Sequence, residues 1–386
     1  MFLEAHIPEE DIGRCRIIEW RPSINIFREK YVNLLSQAVH FIKRTDAGNR
    51  TTAAFGRKWV KNFFKNLKNI NNCLLFRQCA LPVIIAASGP SLEKSLPVIK
   101  NAQDNCLIIA ASSSMMALDA GGITADIVIS TDGGNWALRH IYPGLRQKKI
   151  SALAVNLNAA LPSQCLDIAH LIINDGSFWQ SIVLHELALP SVIISQKGTV
   201  SATALELALQ LSAGNIFLAG MDFSLMDIRT HARPYGFDSL FFNSSYRLRP
   251  FYSESFVRSR RLREGGSMEI YASWFKSRQA QWPKRIFSIS GENKIFENGD
   301  SLLRDNLSEY RHNKKNIEDC LKAVRTKEDS ALFCNRGISA LLSALENPQY
   351  SENIKQELKL LLFPKVLPEE RDVTDYDLEK AIKEIV

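Results

Sequence analysis

The chain has 386 residues, is 46% hydrophobic and 23% charged, and sets 48 Lys and Arg against 41 Asp and Glu for a formal net charge of +7. That balance is ordinary for a soluble globular protein and leaves room for two or three domains. It excludes a membrane helix, because no apolar stretch reaches the roughly 20 residues that a crossing needs. The start, Met1-Phe2-Leu3-Glu4-Ala5-His6, lacks the basic-then-apolar plan of a secretory signal, so a cytoplasmic location is expected. The positive charge suits an anionic small molecule or an acidic partner. Nucleic acid is not expected, since no helix-turn-helix, zinc-finger or RNA-binding signature occurs. Seven cysteines and seven histidines are scattered without metal-ligand spacing, so reduced thiols and no metal site are expected.

In chain order, residues 1–78 are mixed and basic, with helical periodicity over 26–42 and 59–67. The second helix sets Trp59, Val60, Phe63, Phe64 and Leu67 against Lys61 and Lys65, and its apolar stripe is expected to pack on the main domain. Residues 79–292 alternate short apolar runs with loops and helices. Strands are expected over 83–87, 106–111, 127–131, 152–156, 171–174, 192–195, 216–219 and 286–288. Most of these are continuously apolar, which marks strands covered on both faces. The fold class is therefore α/β, a Rossmann-like, mostly parallel sheet sandwiched by helices, with helical N- and C-terminal regions. Residues 293–386 read as helical over 306–324, 352–362 and 376–386, with no strand. Three regions follow: 1–78, 79–292 and 293–386.

In such sheets ligands sit outside the carboxyl ends of the strands. The first strand ends in Ser88-Gly89-Pro90-Ser91, and a helix N-terminus follows. Free N–H groups and the helix dipole make that junction either an anion site or a well-capped turn. It is neither the Walker loop nor the three-glycine dinucleotide fingerprint. After the second strand come Ser112, Ser113 and Ser114, and after the third Thr131-Asp132-Gly133-Gly134. Asp132 holds a ribose or base hydroxyl, binds Mg²⁺ through water, or caps the next helix. Gly198-Thr199-Val200-Ser201 opens a nearly all-apolar helix and offers a second anion cradle. Asp222, after the strand at 216–219, is a site residue or a loop-stabilising acceptor. Residues 224–266 have few regular apolar positions and read as a long functional loop. They hold His231, a candidate base near neutral pH, with Arg229 and Arg233 beside it. The arginines of 247–263 bind phosphates or carboxylates, or form a solvated basic face.

The Ser88–Ser91 loop, the strand end at Asp132, Gly198-Thr199-Val200-Ser201, Gly220-Met221-Asp222-Phe223 and Thr230-His231-Ala232 follow one another in the order found in motility accessory factor glycosyltransferases. The chain resembles that superfamily over roughly residues 80 to 295; archaeal hydroxymethylpterin pyrophosphokinases belong to it, and the same order is similar to bacterial sialyltransferases of the Campylobacter type. The resemblance implies transfer of a nonulosonic acid, pseudaminic or legionaminic, from a CMP-sugar donor to a flagellin Ser or Thr in the cytoplasm. Ser88, Gly89, Pro90, Ser91, Ser112 and Asp132 would then line the nucleotide pocket. Gly198, Thr199, Ser201, Asp222, Arg229 and Arg233 would meet the donor phosphate or carboxylate, and His231 would deprotonate the acceptor. No resident cofactor is implied. Mg²⁺, held by Asp132 and Asp222, enters with the alternative of a pterin-type pyrophosphokinase using ATP; a non-enzymatic flagellin-binding assembly factor is the third reading. The sialyltransferases carry two tyrosines that support the leaving phosphate, and this chain has Ser224 and about Thr230 in those places. It also has Ser88 where they have asparagine.

Overall fold

The computed structural model describes residues 3, 6–7, 15–165, 168–195, 198–264, 267–289, 295–305, 307, 320–325, 330–364 and 373–385. The chain divides into two compact units, residues 61–343 and residues 1–60 with 344–386.

The elements are α1 (Arg28–Leu67), β1 (Asn72–Phe76), β2 (Val83–Ala86), α2 (Leu92–Ala102), β3 (Leu107–Ala111), α3 (Met115–Ala120), β4 (Ile127–Ser130), α4 (Leu138–Arg146), β5 (Ala152–Asn156) and β6 (Ala169–Asn174). Then come α5 (Phe178–Glu186), β7 (Ser191–Ile193), α6 (Val200–Leu211), β8 (Ile216–Ala219), α7 (Asp238–Ser244), α8 (Phe251–Glu264), α9 (Ser267–Arg278), β9 (Ile286–Ser288), β10 (Leu321–Arg325), α10 (Ser330–Glu346), α11 (Ser351–Leu362) and α12 (Asp375–Ile385).

All ten strands form one sheet in the order β10-β1-β6-β5-β4-β3-β2-β8-β9, with β7 beside β6. Every pair is parallel except β1 with β10. The chain lays down β2 to β6 in one direction, then crosses back to place β8 on the other side of β2. The carboxyl ends of β2 and β8 therefore flank the point where the order reverses, the crevice in which open α/β sheets hold their ligands.

The continuous apolar runs are strands because both faces are covered. Val83, Ile85, Ile109, Ile127 and Ile129 point to one face and pack with Ala202, Leu205 and Ala208 of α6 and Phe275 of α9. Ile84, Ile108, Val128 and Leu153 point to the other and are just as fully buried. The lower end of α1 packs as its stripe predicts. Phe63 meets Trp179 of α5 edge-to-face at 4.7 Å, and Asn66 Nδ2 donates to the carbonyls of Leu157 (2.7 Å) and Ala159 (2.8 Å). In the other unit, α11 and α12 bury Ile354, Leu358, Leu378 and Ile382.

Eight expected strands are present, and four other expectations change. The helices expected over 26–42 and 59–67 are one helix, because nothing between them stronger than Gly48 and Gly56 interrupts it. The region after 293 does contain a strand: β10 pairs antiparallel with β1, from Asn72↔Arg325 to Phe76↔Leu321. The sheet thus recruits strands from both flanks. Of the helix expected over 306–324, residues 306 and 308–319 lie outside the described residues, and 321–324 are strand. The stretch 224–266 is not one loop but carries α7 and α8. Its arginines stack on aromatic rings there, so a face that reads as polar in sequence is partly covered.

Candidate functional site at the carboxyl rim of the sheet

The loops after β2 and β8 are zipped together. The Gly89 N–H donates to Gly220 O at 2.7 Å, and the Ala87 N–H to Ala219 O at 2.9 Å. Asp222 accepts from the Ser91 N–H at 2.7 Å and, more closely, from the Ser91 hydroxyl. A Cβ on Gly89 would lie 2.5 Å from Gly220 O and 2.7 Å from Asp222 Oδ2. Gly220 itself has φ +66, the left-handed region that favours glycine.

This arrangement commits the donors that the sequence offers to an anion. The N–H groups of Gly89, Ser91, Leu92 and Glu93 all have protein acceptors. The Asp222 carboxylate sits at the start of α2, where its negative charge meets the positive end of the helix. Of the two roles open to Asp222, the geometry is that of the loop-stabilising acceptor. Pro90 and Ser91 are buried, whereas Ser88 is half-buried.

Above this loop lies the segment 228–241. The Ala232 N–H donates to Ser88 O at 2.9 Å, which sets His231 beside the nucleotide loop. Arg229 pairs with Glu93 of α2 at 2.8 Å, and the Arg233 N–H donates to the same carboxylate at 3.0 Å. The Arg233 guanidinium stacks on Phe251 and lies 3.9 Å from Asp238. Both arginines expected to meet the donor therefore hold carboxylates of the protein.

The cation that faces this cavity unpaired is one that sequence reasoning left inside a long basic run. Arg258 of α8 donates to Tyr235 Oη at 2.9 Å, lies 5.0 to 5.3 Å from the ring centroids of Tyr235, Phe237 and Phe241, and makes no ion pair among the described residues. His231 stacks on Tyr235 at 4.2 Å and 18°, and Thr230 Oγ1 lies 2.8 Å from its Nδ1. His140 of α4 touches Tyr235 from another side at 5.2 Å. A cavity of about 20 Å³, the size of one water, is left between Thr230, His231, Tyr235 and Arg258.

Burial, then the charge of Arg258, pushes the His231 pKa down to about 3 and that of His140 to about 4. Both rings are neutral at pH 7 and can accept a hydrogen bond; pKa values this low make them weaker proton acceptors than the near-neutral base expected of His231. Burial raises the Tyr235 hydroxyl, with Arg258 opposing.

Asp132 accepts from the Gly134 N–H at 2.7 Å, an Asx-type turn, and its charge reaches His140. Ser112 is buried at the end of β3; the Ser114 hydroxyl lies 2.8 Å from both Ala86 O and Ala111 O, its one proton shared between them, beside the ends of β2 and β3. Gly198, Thr199 and Ser201 lie at the start of α6, whose N-cap side chain makes no capping hydrogen bond, while the Ala202 and Thr203 N–H groups bond to Thr199 O. Tyr271 of α9 stands beside it, with its ring 3.8 Å from where a Gly198 Cβ would be. The structure thus brings Ser88, Gly89, Ser91, Asp222, Arg229, Arg233 and His231 together; Gly198, Thr199 and Ser201 form a second cluster with Tyr271. Sequence reasoning has Arg258 only as one of several arginines in a stretch read as a loop, and no sequence signal points to Tyr271. Among the described residues, no three His, Cys, Asp or Glu side chains gather as a metal site.

Residues 57–227 match the model of the family described as 6-hydroxymethylpterin diphosphokinase MptE-like. The expected superfamily resemblance holds over that segment, which runs from the end of α1 through Asp222. An uncharacterized protein of Treponema pallidum (strain Nichols) is 27% identical over 316 residues, covering 81% of this chain and 69% of its own length. A second uncharacterized protein of that organism is 28% identical over 123 residues, or 29% of this chain and 54% of its own. Among solved structures, a MAf glycosyltransferase from Magnetospirillum magneticum AMB-1 aligns with a TM-score of 0.47 and 14% identity over 86% of this chain. The chain spans 53% of that protein's length.

Proposed function

We propose that the rim of the sheet is the active site of a nucleotide-sugar-dependent glycosyltransferase. In this reading residues 79–292 form the transferase domain, and the donor is a CMP-linked nonulosonic acid. The acceptor is a Ser or Thr hydroxyl of flagellin, modified in the cytoplasm. The observation that carries the reading is the neutral His231 held over the Ser88 loop beside Arg258. A transferase that moves an acidic sugar to an alcohol needs such a pair, a proton acceptor and a cation for the donor's negative charge. In the tautomer in which His231 Nδ1–H donates to Thr230 Oγ1, Nε2 carries the lone pair that takes the acceptor proton as the acceptor oxygen bonds to the anomeric carbon. The bond from that carbon to the phosphate breaks, and CMP leaves with the electron pair. The uncapped start of α6, with Thr199, Ser201 and Tyr271, receives the leaving phosphate in place of the two absent tyrosines. Ser88 and Ser112 face the nucleoside. Among the described residues no helix is long and apolar enough to cross a membrane.

A second reading is favoured by the family match: a pyrophosphokinase that moves diphosphate from ATP to a pterin alcohol, with Mg²⁺ near Asp132. The use of Asp222 as a loop acceptor leaves that chemistry one carboxylate fewer. A thermal-shift panel of CMP, CDP, UDP, GDP and ATP, each with and without Mg²⁺, separates the two. A ligand at a hundred times its Kd stabilises by about 2.7 kcal/mol. Stabilisation by CMP without Mg²⁺ supports the transferase; stabilisation by ATP only with Mg²⁺ supports the kinase and overturns it.

A further inference from the structure

Next to the His231 cavity, and sharing no lining residue with it, is a wider depression of about 480 Å³. It is built where the turn after Asp132 enters α4. Trp136 lines it and is 62% exposed, an unusual setting for the largest apolar side chain. Arg139, one helical turn on, lies 5.5 Å from the Trp136 ring centroid and 6.0 Å from that of Phe237. Arg146 stands two turns further along the same helix. Asn135, Tyr142 and Ser239 supply polar groups around the edge. Neither arginine makes an ion pair among the described residues, and no carboxylate among them lines the depression.

We infer that this depression is a binding subsite for a sugar ring carrying a carboxylate. Three features meet there. The Trp136 indole stays more than half exposed with the Arg139 guanidinium over its ring, and its negative π cloud takes the polarised C–H face of a pyranose. Two unpaired guanidinium groups take a carboxylate. The amide and hydroxyls of Asn135, Tyr142 and Ser239 match sugar hydroxyls. Phe237 touches Trp136 at 5.9 Å and also Arg258 at 5.3 Å, so the subsite is one ring away from the proposed reaction centre.

The inference needs no turnover, so it is tested by binding. The full-length protein is titrated with N-acetylneuraminic acid and, in parallel, with neutral N-acetylglucosamine, and read by saturation-transfer NMR. The expected result is transfer to the acidic sugar and at least tenfold weaker transfer to the neutral one. Trp136→Ala should abolish the signal, and Arg139→Gln with Arg146→Gln should weaken it at least fivefold, while thermal melts stay at the wild-type temperature. Equal binding of both sugars, or an unchanged signal in Trp136→Ala, overturns the inference. Both sugars are tested without CMP-sugar, so failure here leaves product formation at His231 as a separate result.

Discussion

Gly89→Ala tests the zipped loops directly. Gly89 does not occupy the left-handed region, so alanine changes the space it fills and not the backbone it prefers. The added Cβ would stand 2.5 Å from Gly220 O and 2.7 Å from Asp222 Oδ2. Normal contact begins near 3.4 Å, so one loop must yield by most of an ångström. Neither neighbour is a flexible tip: one is a backbone carbonyl, and the other is a carboxylate held by Ser91. Overpacking of this kind costs about 1–3 kcal/mol, and loosening the Gly89–Gly220 hydrogen bond adds about 1 kcal/mol. At about 2–4 °C per kcal/mol for a domain of this size, the melting temperature should fall by about 5–10 °C. Urea unfolding gives the free energy, and nucleotide-induced thermal shift gives the effect on the site, which should also weaken. A variant that melts within 1 °C of wild type and keeps its nucleotide shift would refute the claim that these loops are locked together.

Asp222→Asn keeps the shape but sets an amide donor against the donors of Ser91; urea melts should show a loss of about 1–3 kcal/mol. His231→Asn should lower kcat by about 10²–10⁴ while CMP binding is retained, as removal of a general base predicts. Because His231 titrates near 3, the wild-type rate should show no limb at pH 6.5, and a limb there would contradict the buried, neutral ring. His170, 1% exposed on β6, has a pKa lowered by burial to about 4. Its folded pKa is below the unfolded one, so unfolding takes up a proton; the contribution is complete above about pH 6.5 and is lost as pH falls. Between pH 7 and pH 5 His170 alone should account for about 2 kcal/mol of the wild type's loss, and His170→Gln should lose that much less across the same interval. Equal pH slopes for the two proteins would count against it.

The central sheet was legible because its strands are buried on both faces and so read as unbroken Val, Ile and Ala runs. β1 and β10 were not, since their exposed residues, Leu75 and Val324 among them, interrupt that pattern and the pair is fixed only by a partner some 250 residues away. The Ser88–Ser91 loop was found by its small residues and its place after a strand. Its filling was hidden, because nothing local says that Asp222 will occupy the start of α2. His231 stood out as a lone histidine at the right rim. Arg258 did not, being one of several arginines in 247–263; its stacking on Tyr235, Phe237 and Phe241 is what distinguishes it.

The most direct test of the account is the intact mass of flagellin after incubation with this protein and CMP-pseudaminic or CMP-legionaminic acid. The account predicts a mass increase of one or more nonulosonic acid residues, matched by released CMP and lost in His231→Asn. Unmodified flagellin with no CMP release, while ATP and a hydroxymethylpterin yield AMP, would contradict it.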